Sequence, residues 1–128
     1  MKNLLKLILL SAFIIAQDIG SNINSFNTNV VIRPANDNLE VITYIEIFNR
    51  NLQFIKVEDG FRSSFEVTVS LVSEDSNKLF KETFSDSINV INFSETVKMS
   101  KPRIIVNKFL IPNGKFDINF SIRDLDTK

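Results

Sequence analysis

The sequence predicts an all-β fold: an antiparallel, immunoglobulin-like β-sandwich of about seven or eight strands behind an N-terminal signal peptide. Three observations carry this. Turn signals recur about every eight to twelve residues, no window sustains a 3.6-residue apolar period, and several segments alternate apolar and polar residues with period two. The clearest is the last. Pro112, Asn113 and Gly114 supply a turn, and Phe116, Ile118, Phe120 and Ile122 then share one face while Asp117, Asn119, Ser121 and Arg123 share the other.

The elements follow in order. Lys2 and Lys6 precede an apolar run from Leu7 to Ala16, too short to span a bilayer comfortably, which reads as a secretory signal (residues 1–16) cleaved after Ala16. Ile14 is bulkier than the usual residue three positions before the cut, and an uncleaved anchor is the alternative. Residues 17–38 read as a flexible leader, dense in Asn and Ser, with an edge strand at Val30 to Ile32 stopped by Arg33-Pro34.

The sandwich domain is expected over 39–128. Leu39 to Phe48 is its first strong strand, with Val41, Thr43, Ile45 and Ile47 on one face and Ile42, Tyr44, Glu46 and Phe48 on the other. Both faces are apolar enough to be covered over part of its length. Leu52 to Val57 and Phe61 to Val72 form the next two strands, joined by the hairpin signal Glu58-Asp59-Gly60. Phe65, Val67, Val69 and Leu71 point to the core. Leu79 to Phe84 and Ile88 to Phe93 read as two strands interrupted by Ser85-Asp86-Ser87; Thr96 to Met99 is a further candidate, and Arg103 to Ile111 precedes the closing strand.

A length of 128 residues allows one domain with one core. The chain lacks Cys, which excludes a disulfide framework and an N-terminal lipid anchor on Cys, so packing must hold the fold. Eleven of the twelve Phe residues lie beyond the signal, and each fully buried ring contributes roughly 1.5 to 3 kcal/mol. These rings are expected to carry much of the core. The formal charge is zero, and losing Lys2 and Lys6 leaves 13 basic against 15 acidic residues, a balance of minus two. With no basic run, phosphate-driven binding to nucleic acid or an anionic membrane is not expected. Richness in Asn, Ile, Lys and Phe suits an AT-rich bacterial genome.

His, Cys and Trp are all absent. His-based acid or base catalysis, Ser-His-Asp and Cys-His sites and Cys/His zinc sites are therefore excluded for this chain. Gly20, Gly60 and Gly114 form no phosphate loop. The remaining chemistry is oxygen-based. Glu46 and Glu66 are the acidic residues at the middle of strong strands, and a glycosidase pair would bring them within about 5 to 10 Å; their alternation reads instead as solvated strand faces. Asn36-Asp37-Asn38, Glu74-Asp75-Ser76-Asn77 and Asp124-Leu-Asp126 cluster oxygens without calcium-loop spacing, and read as turn chemistry. Asn92-Phe-Ser94 and Asn119-Phe-Ser121 match the glycosylation acceptor formally, as chance does in a bacterial β protein. No catalytic, cofactor-binding or metal residue is assigned, and no cofactor is expected.

The order Leu39-Glu-Val-Ile-Thr-Tyr-Ile-Glu-Ile-Phe48, Leu52-Gln-Phe54, Phe61, Phe65-Glu-Val-Thr-Val-Ser-Leu71 and Leu110-Ile-Pro-Asn-Gly-Lys-Phe-Asp-Ile-Asn-Phe-Ser-Ile-Arg-Asp124 resembles the N-terminal β-sandwich of the GWxTD-domain proteins. These are exported bacterial proteins of poorly defined role. The Gly-Trp-x-Thr-Asp segment itself is missing, and Phe116 stands where the pattern prefers Tyr. The resemblance implies an exported location, periplasmic, outer-envelope associated or extracellular, and the front module of a longer polypeptide. The expected function is a non-catalytic module for protein interaction or envelope structure, with a protein partner or a downstream domain as its contact and membrane contact only through the signal segment if that is uncleaved. A carbohydrate- or polymer-binding module is the alternative, and it requires a row of exposed Phe rings with Tyr44 on one sheet face.

Overall fold

A computed structural model describes residues 26–127. The signal segment and its cleavage site lie outside the described residues. Among the described residues seven strands build two antiparallel sheets: β1 (Asn27–Ala35), β2 (Asn38–Ile47), β3 (Ile55–Val57), β4 (Gly60–Ser73), β5 (Leu79–Val90), β6 (Arg103–Pro112) and β7 (Phe116–Asp124). The first sheet has the order β1-β2-β6. In the second, the long β4 is central, with β5 along one side and β3 and β7 in succession along the other.

Hairpins join β1 to β2, β3 to β4 and β4 to β5, while three connections cross between sheets. Of these, β2 reaches β3 through a 3-10 turn (Asn49–Asn51), and β5 reaches β6 through the one-turn helix α1 (Phe93–Thr96). The third is Pro112 to Lys115, whose turn signal carries the chain from sheet to sheet rather than into a hairpin.

Period-two alternation decides which side chains form the core. Val41, Ile45 and Ile47 of β2 meet Phe65, Val67, Val69 and Leu71 of β4, with Ile105, Phe109 and Ile111 of β6 and Ile122 of β7. The expected inward faces of β4 and β7 are thus the observed ones, and of the two apolar faces of β2 the one with Val41, Ile45 and Ile47 is inside. Phe contributes less than its abundance suggests. Among the described residues only Phe65 and Phe109 of the Phe rings are buried, and most of the core is Ile and Val, the shapes that pack between two pleated surfaces.

Four element assignments are corrected. The first strand starts at Asn27 and runs past Ile32 through Arg33-Pro34 to Ala35. Pro34 is tolerated because β1 is an edge strand, where one side of the backbone needs no ladder donor. Ser85-Asp86-Ser87 does not interrupt: β5 continues through it, with Ser85, Asp86 and Ser87 opposite Glu66, Phe65 and Ser64. Polarity misled the reading because the middle of this edge strand is exposed on both faces, Phe84 included, and is held by its ladder to β4 rather than by burial. Thr96 to Met99 is not a strand; α1 and its continuation occupy that stretch. The strand expected from Leu52 shortens to β3 because Phe48 and Asn51 close a local turn, the Phe48 N–H donating to Asn51 Oδ1 at 2.9 Å.

The Asx-rich segments act as turns. Asn36 takes φ +56° between β1 and β2, and Asn77 takes φ +52° between β4 and β5, the left-handed region that Asn tolerates. In the second turn Ser73 Oγ accepts from the Ser76 N–H at 3.2 Å.

Candidate functional site

The outward face of the β1-β2-β6 sheet is the candidate surface. Its register gives four rungs: Asn27, Glu46 and Ile104; Asn29, Tyr44 and Val106; Val31, Ile42 and Lys108; Arg33, Glu40 and Leu110. Ile42 is buried between its neighbours, as expected for a strand partly covered on both faces. Tyr44, Val31, Ile104, Val106 and Leu110 are exposed. Around the first two rungs lies a shallow depression of about 440 Å³ lined by Asn27, Thr28, Asn29, Tyr44, Glu46 and Ile104. Asn27 Nδ2 donates to Glu46 Oε2 at 3.4 Å there. The ring, the amides and the carboxylate offer one stacking surface and several hydrogen-bonding groups.

The β6 column of this face is the most apolar, and β6 is the edge of its sheet. Its backbone presents unpaired ladder groups along the open side. The other edges carry more of the features that discourage pairing: Arg33-Pro34 in β1, Lys81, Glu82 and Asp86 in β5, and Asp117 and Arg123 in β7. Between Ile104 and Leu110, β6 has the single charge of Lys108.

Glu46 and Glu66, candidates for a carboxylate pair, do not come together. Glu46 lies on the outward face of the first sheet and Glu66 on the outward face of the second, with the core between them. Glu66 is also engaged, accepting from Arg123 Nη2 at 2.9 Å. Arg33 pairs with Glu40 across β1 and β2. The Glu40 carboxyl is held below its ordinary range by the hydrogen bond from Arg33.

Asp124 and Asp126 serve the end of β7. Asp124 Oδ1 accepts from the Asp126 N–H at 2.8 Å, an Asx turn. The Asp126 carboxylate takes the Ser64 N–H at 2.6 Å and Arg62 Nη2 at 3.0 Å. Burial pulls the Asp126 carboxyl upward, but the hydrogen bonds from Ser64 and Arg62 outweigh it and hold it below its ordinary value. Among the described residues no three acidic side chains gather in a metal-holding arrangement.

The Phe row needed for a carbohydrate platform does not form beside Tyr44. Phe84 lies on the other sheet, and Phe93 lies in α1 against Phe61. The β6 column escaped the sequence reading because alternation marks two faces of a strand without saying which strands end a sheet. Comparison of the chain with protein-family models, curated proteins and solved structures gives no match.

Proposed function

We propose that this chain is a non-catalytic, exported β-sandwich module for protein interaction or envelope structure, and that its contact surface is the open edge of β6 with the adjoining outward sheet face. The observation that carries this reading is the exposed apolar series Ile104, Val106 and Leu110 along an unpaired edge. An extended segment of a partner could add a strand there, its backbone completing the ladder and its alternate side chains resting on those three residues. The resemblance to the front module of GWxTD-domain proteins supports the same reading, with the partner either a separate protein or a downstream domain.

A photocrosslinking residue placed at Val106 or Leu110, and at Thr83 of β5 as a control, tests it in the envelope fraction of the source cell. Discrete protein adducts from positions 106 and 110 but not 83 are expected. Equal labelling from all three, or none from β6, would overturn the assignment.

The Phe row expected beside Tyr44 is absent among the described residues, so the second reading, a module that binds a carbohydrate or other polymer, rests on the depression at Tyr44, Glu46, Asn27 and Asn29 alone. That reading expects glycan-array binding that is lost in Tyr44→Ala, and an array without signal sinks it.

A further inference from the structure

The residue pattern of β6 and its flanks reads nearly the same in both directions about Asn107. Pro102 and Pro112 stand five positions to either side, Ile104 mirrors Leu110, and Ile105 mirrors Phe109. Between the prolines the nine residues Arg103 to Ile111 all carry amides, and among the described residues nothing pairs with them on the side away from β2. The strand is therefore an open edge with matching halves.

Two copies of an edge strand can pair antiparallel about a two-fold axis perpendicular to the sheet, and the pleat then restricts which residues meet. Facing residues must share a sheet face, so the axis passes through a residue position and not between two. With the axis at Asn107 all nine residues find partners. Asn107 meets its own copy, Val106 meets Lys108, Ile105 meets Phe109, Ile104 meets Leu110 and Arg103 meets Ile111. The prolines then fall opposite each other where the ladder ends, which is where a missing N–H is tolerated. An axis at Lys108 would set two ammonium groups face to face and put Pro112 opposite Ile104, and an axis at Val106 would put Pro102 opposite Leu110. Axes farther out shorten the ladder.

Asn107 itself marks this axis. Ile105, Phe109 and Ile111 are buried on the inward face of β6, and Asn107 holds the one polar, half-buried position among them. An amide complements its own copy, each Nδ2 donating to the other Oδ1. Charge also permits a like partner. Lys108 is the single charge from Ile104 to Leu110, and after Arg33 it helps to hold the Glu40 carboxyl below its ordinary range. Arg103 is paired with Asp86. Both cations thus have an acid within their own chain, and a formal net charge of zero leaves little repulsion between copies.

We propose that β6 pairs with the β6 of a second copy of this chain in the register centred on Asn107, closing a two-fold dimer with a continuous six-stranded sheet. The proposal rests on the reading of the β6 edge as the contact surface and names the partner. On the outward face Ile104 packs beside Leu110 of the second copy, and Leu110 beside Ile104, which covers the exposed apolar column. Each copy uses its own β6 edge, so association closes at two. Arg33-Pro34 in β1 discourages further addition at the outer edges of that sheet.

For the test, the full chain is expressed with its own N-terminal segment and the exported product is purified. Sedimentation equilibrium is expected to give the mass of two chains. Val106→Lys sets like charges opposite Lys108 on both sides of the axis and is expected to weaken self-association on the order of tenfold or more, without changing the unfolding midpoint of the dilute monomer. Val106→Glu sets a carboxylate opposite the same ammonium groups and is expected to keep the dimer. Because the chain lacks Cys, single thiols map the register. Asn107→Cys is expected to cross-link to its own copy through a short bismaleimide. Ile104→Cys lies about 20 Å from its own copy in this register and is expected to cross-link only after exchange with Leu110→Cys chains. A single-chain mass across the concentration series overturns the proposal, as does a dimer that survives Val106→Lys, equal loss in Val106→Lys and Val106→Glu, or cross-linking of Ile104→Cys to itself. A single-chain mass together with adducts from positions 106 and 110 to a different protein overturns self-pairing alone and leaves the protein-interaction reading standing. A single-chain mass without such adducts overturns both.

Discussion

The carboxylate of Asp126 accepts the backbone N–H of Ser64 at 2.6 Å, filling a break in the ladder along β4. Pairing with β7 ends at Phe65 opposite Asp124, and pairing with β3 begins at Arg62 opposite Ile55. Between them Ser63 and Ser64 have no strand on that side. The Leu125 N–H donates to the Ser64 carbonyl at 2.8 Å, and Asp126 then takes the Ser64 amide. Both backbone groups of Ser64 are thereby satisfied, as buried groups must be.

Asp126→Asn keeps an acceptor for Ser64 but loses the charge facing Arg62, with an expected loss of about 2 kcal/mol, typical of hydrogen bonds to charged groups. The folded-state carboxyl is held below its unfolded value, so its contribution is complete above the unfolded value of about 4 and disappears as pH falls through the folded value. Urea unfolding of both proteins from pH 7 to pH 2 checks this. The stability gap should be widest near neutrality and close in acid; a gap that widens in acid contradicts the assignment.

Thr43 stands in the core at 0% exposure, and its hydroxyl has no hydrogen-bond partner. Thr43→Val has nearly the same shape and removes the orphaned group, so stability should rise by about 1 kcal/mol. Thermal unfolding should then shift upward by about 4 to 8 °C for a domain of this size. An unchanged or lowered midpoint would mean that the hydroxyl is satisfied in solution.

Gly60 opens β4 at φ +142°, and a Cβ there would lie 2.2 Å from the Val90 carbonyl oxygen. Backbone blocks the site, so no side-chain movement relieves the clash. Gly60→Ala should cost about 3 kcal/mol, combining the strained conformation with displacement of the end of β5. Gly114→Ala is the control, since its Cβ would meet only the Phe116 ring at 3.5 Å. Its φ of +158° still disfavours Ala, so a smaller loss is expected in denaturant titrations.

Leu71 lies at 0% exposure where β4 pairs with both β5 and β7. Leu71→Ala should cost about 2 to 5 kcal/mol by leaving a cavity in the packed core. The same change at Leu79, an exposed residue at the start of β5, should be within about 0.5 kcal/mol of neutral. Equilibrium unfolding of the pair separates core packing from general loss of apolar surface.

Much of the fold was legible in local pattern. Val41 to Ile47, Phe65 to Leu71 and Phe116 to Ile122 alternate because each strand has one buried face, and the pleat leaves that record in the chain. Ser85-Asp86-Ser87 was misread for the converse reason: a strand held by its neighbour's backbone need not alternate. Thr96 to Met99 reads as a strand candidate in the sequence, but it follows the one-turn helix α1, with Thr96 buried and Val97 and Met99 exposed.

By itself the sequence determined the class of the fold, the inward faces of β4 and β7, the turns at Glu58 to Gly60, Glu74 to Asn77 and Pro112 to Gly114, and the absence of His, Cys and Trp chemistry. These are properties of single segments, set by backbone sterics and by the period-two pleat. The tertiary structure alone decided that Glu46 and Glu66 lie on opposite sheets, and that β6 ends a sheet with Ile104, Val106 and Leu110 exposed. Those relationships depend on which distant segments pair, and pairing is settled by burial of the whole core rather than by any local run of residues.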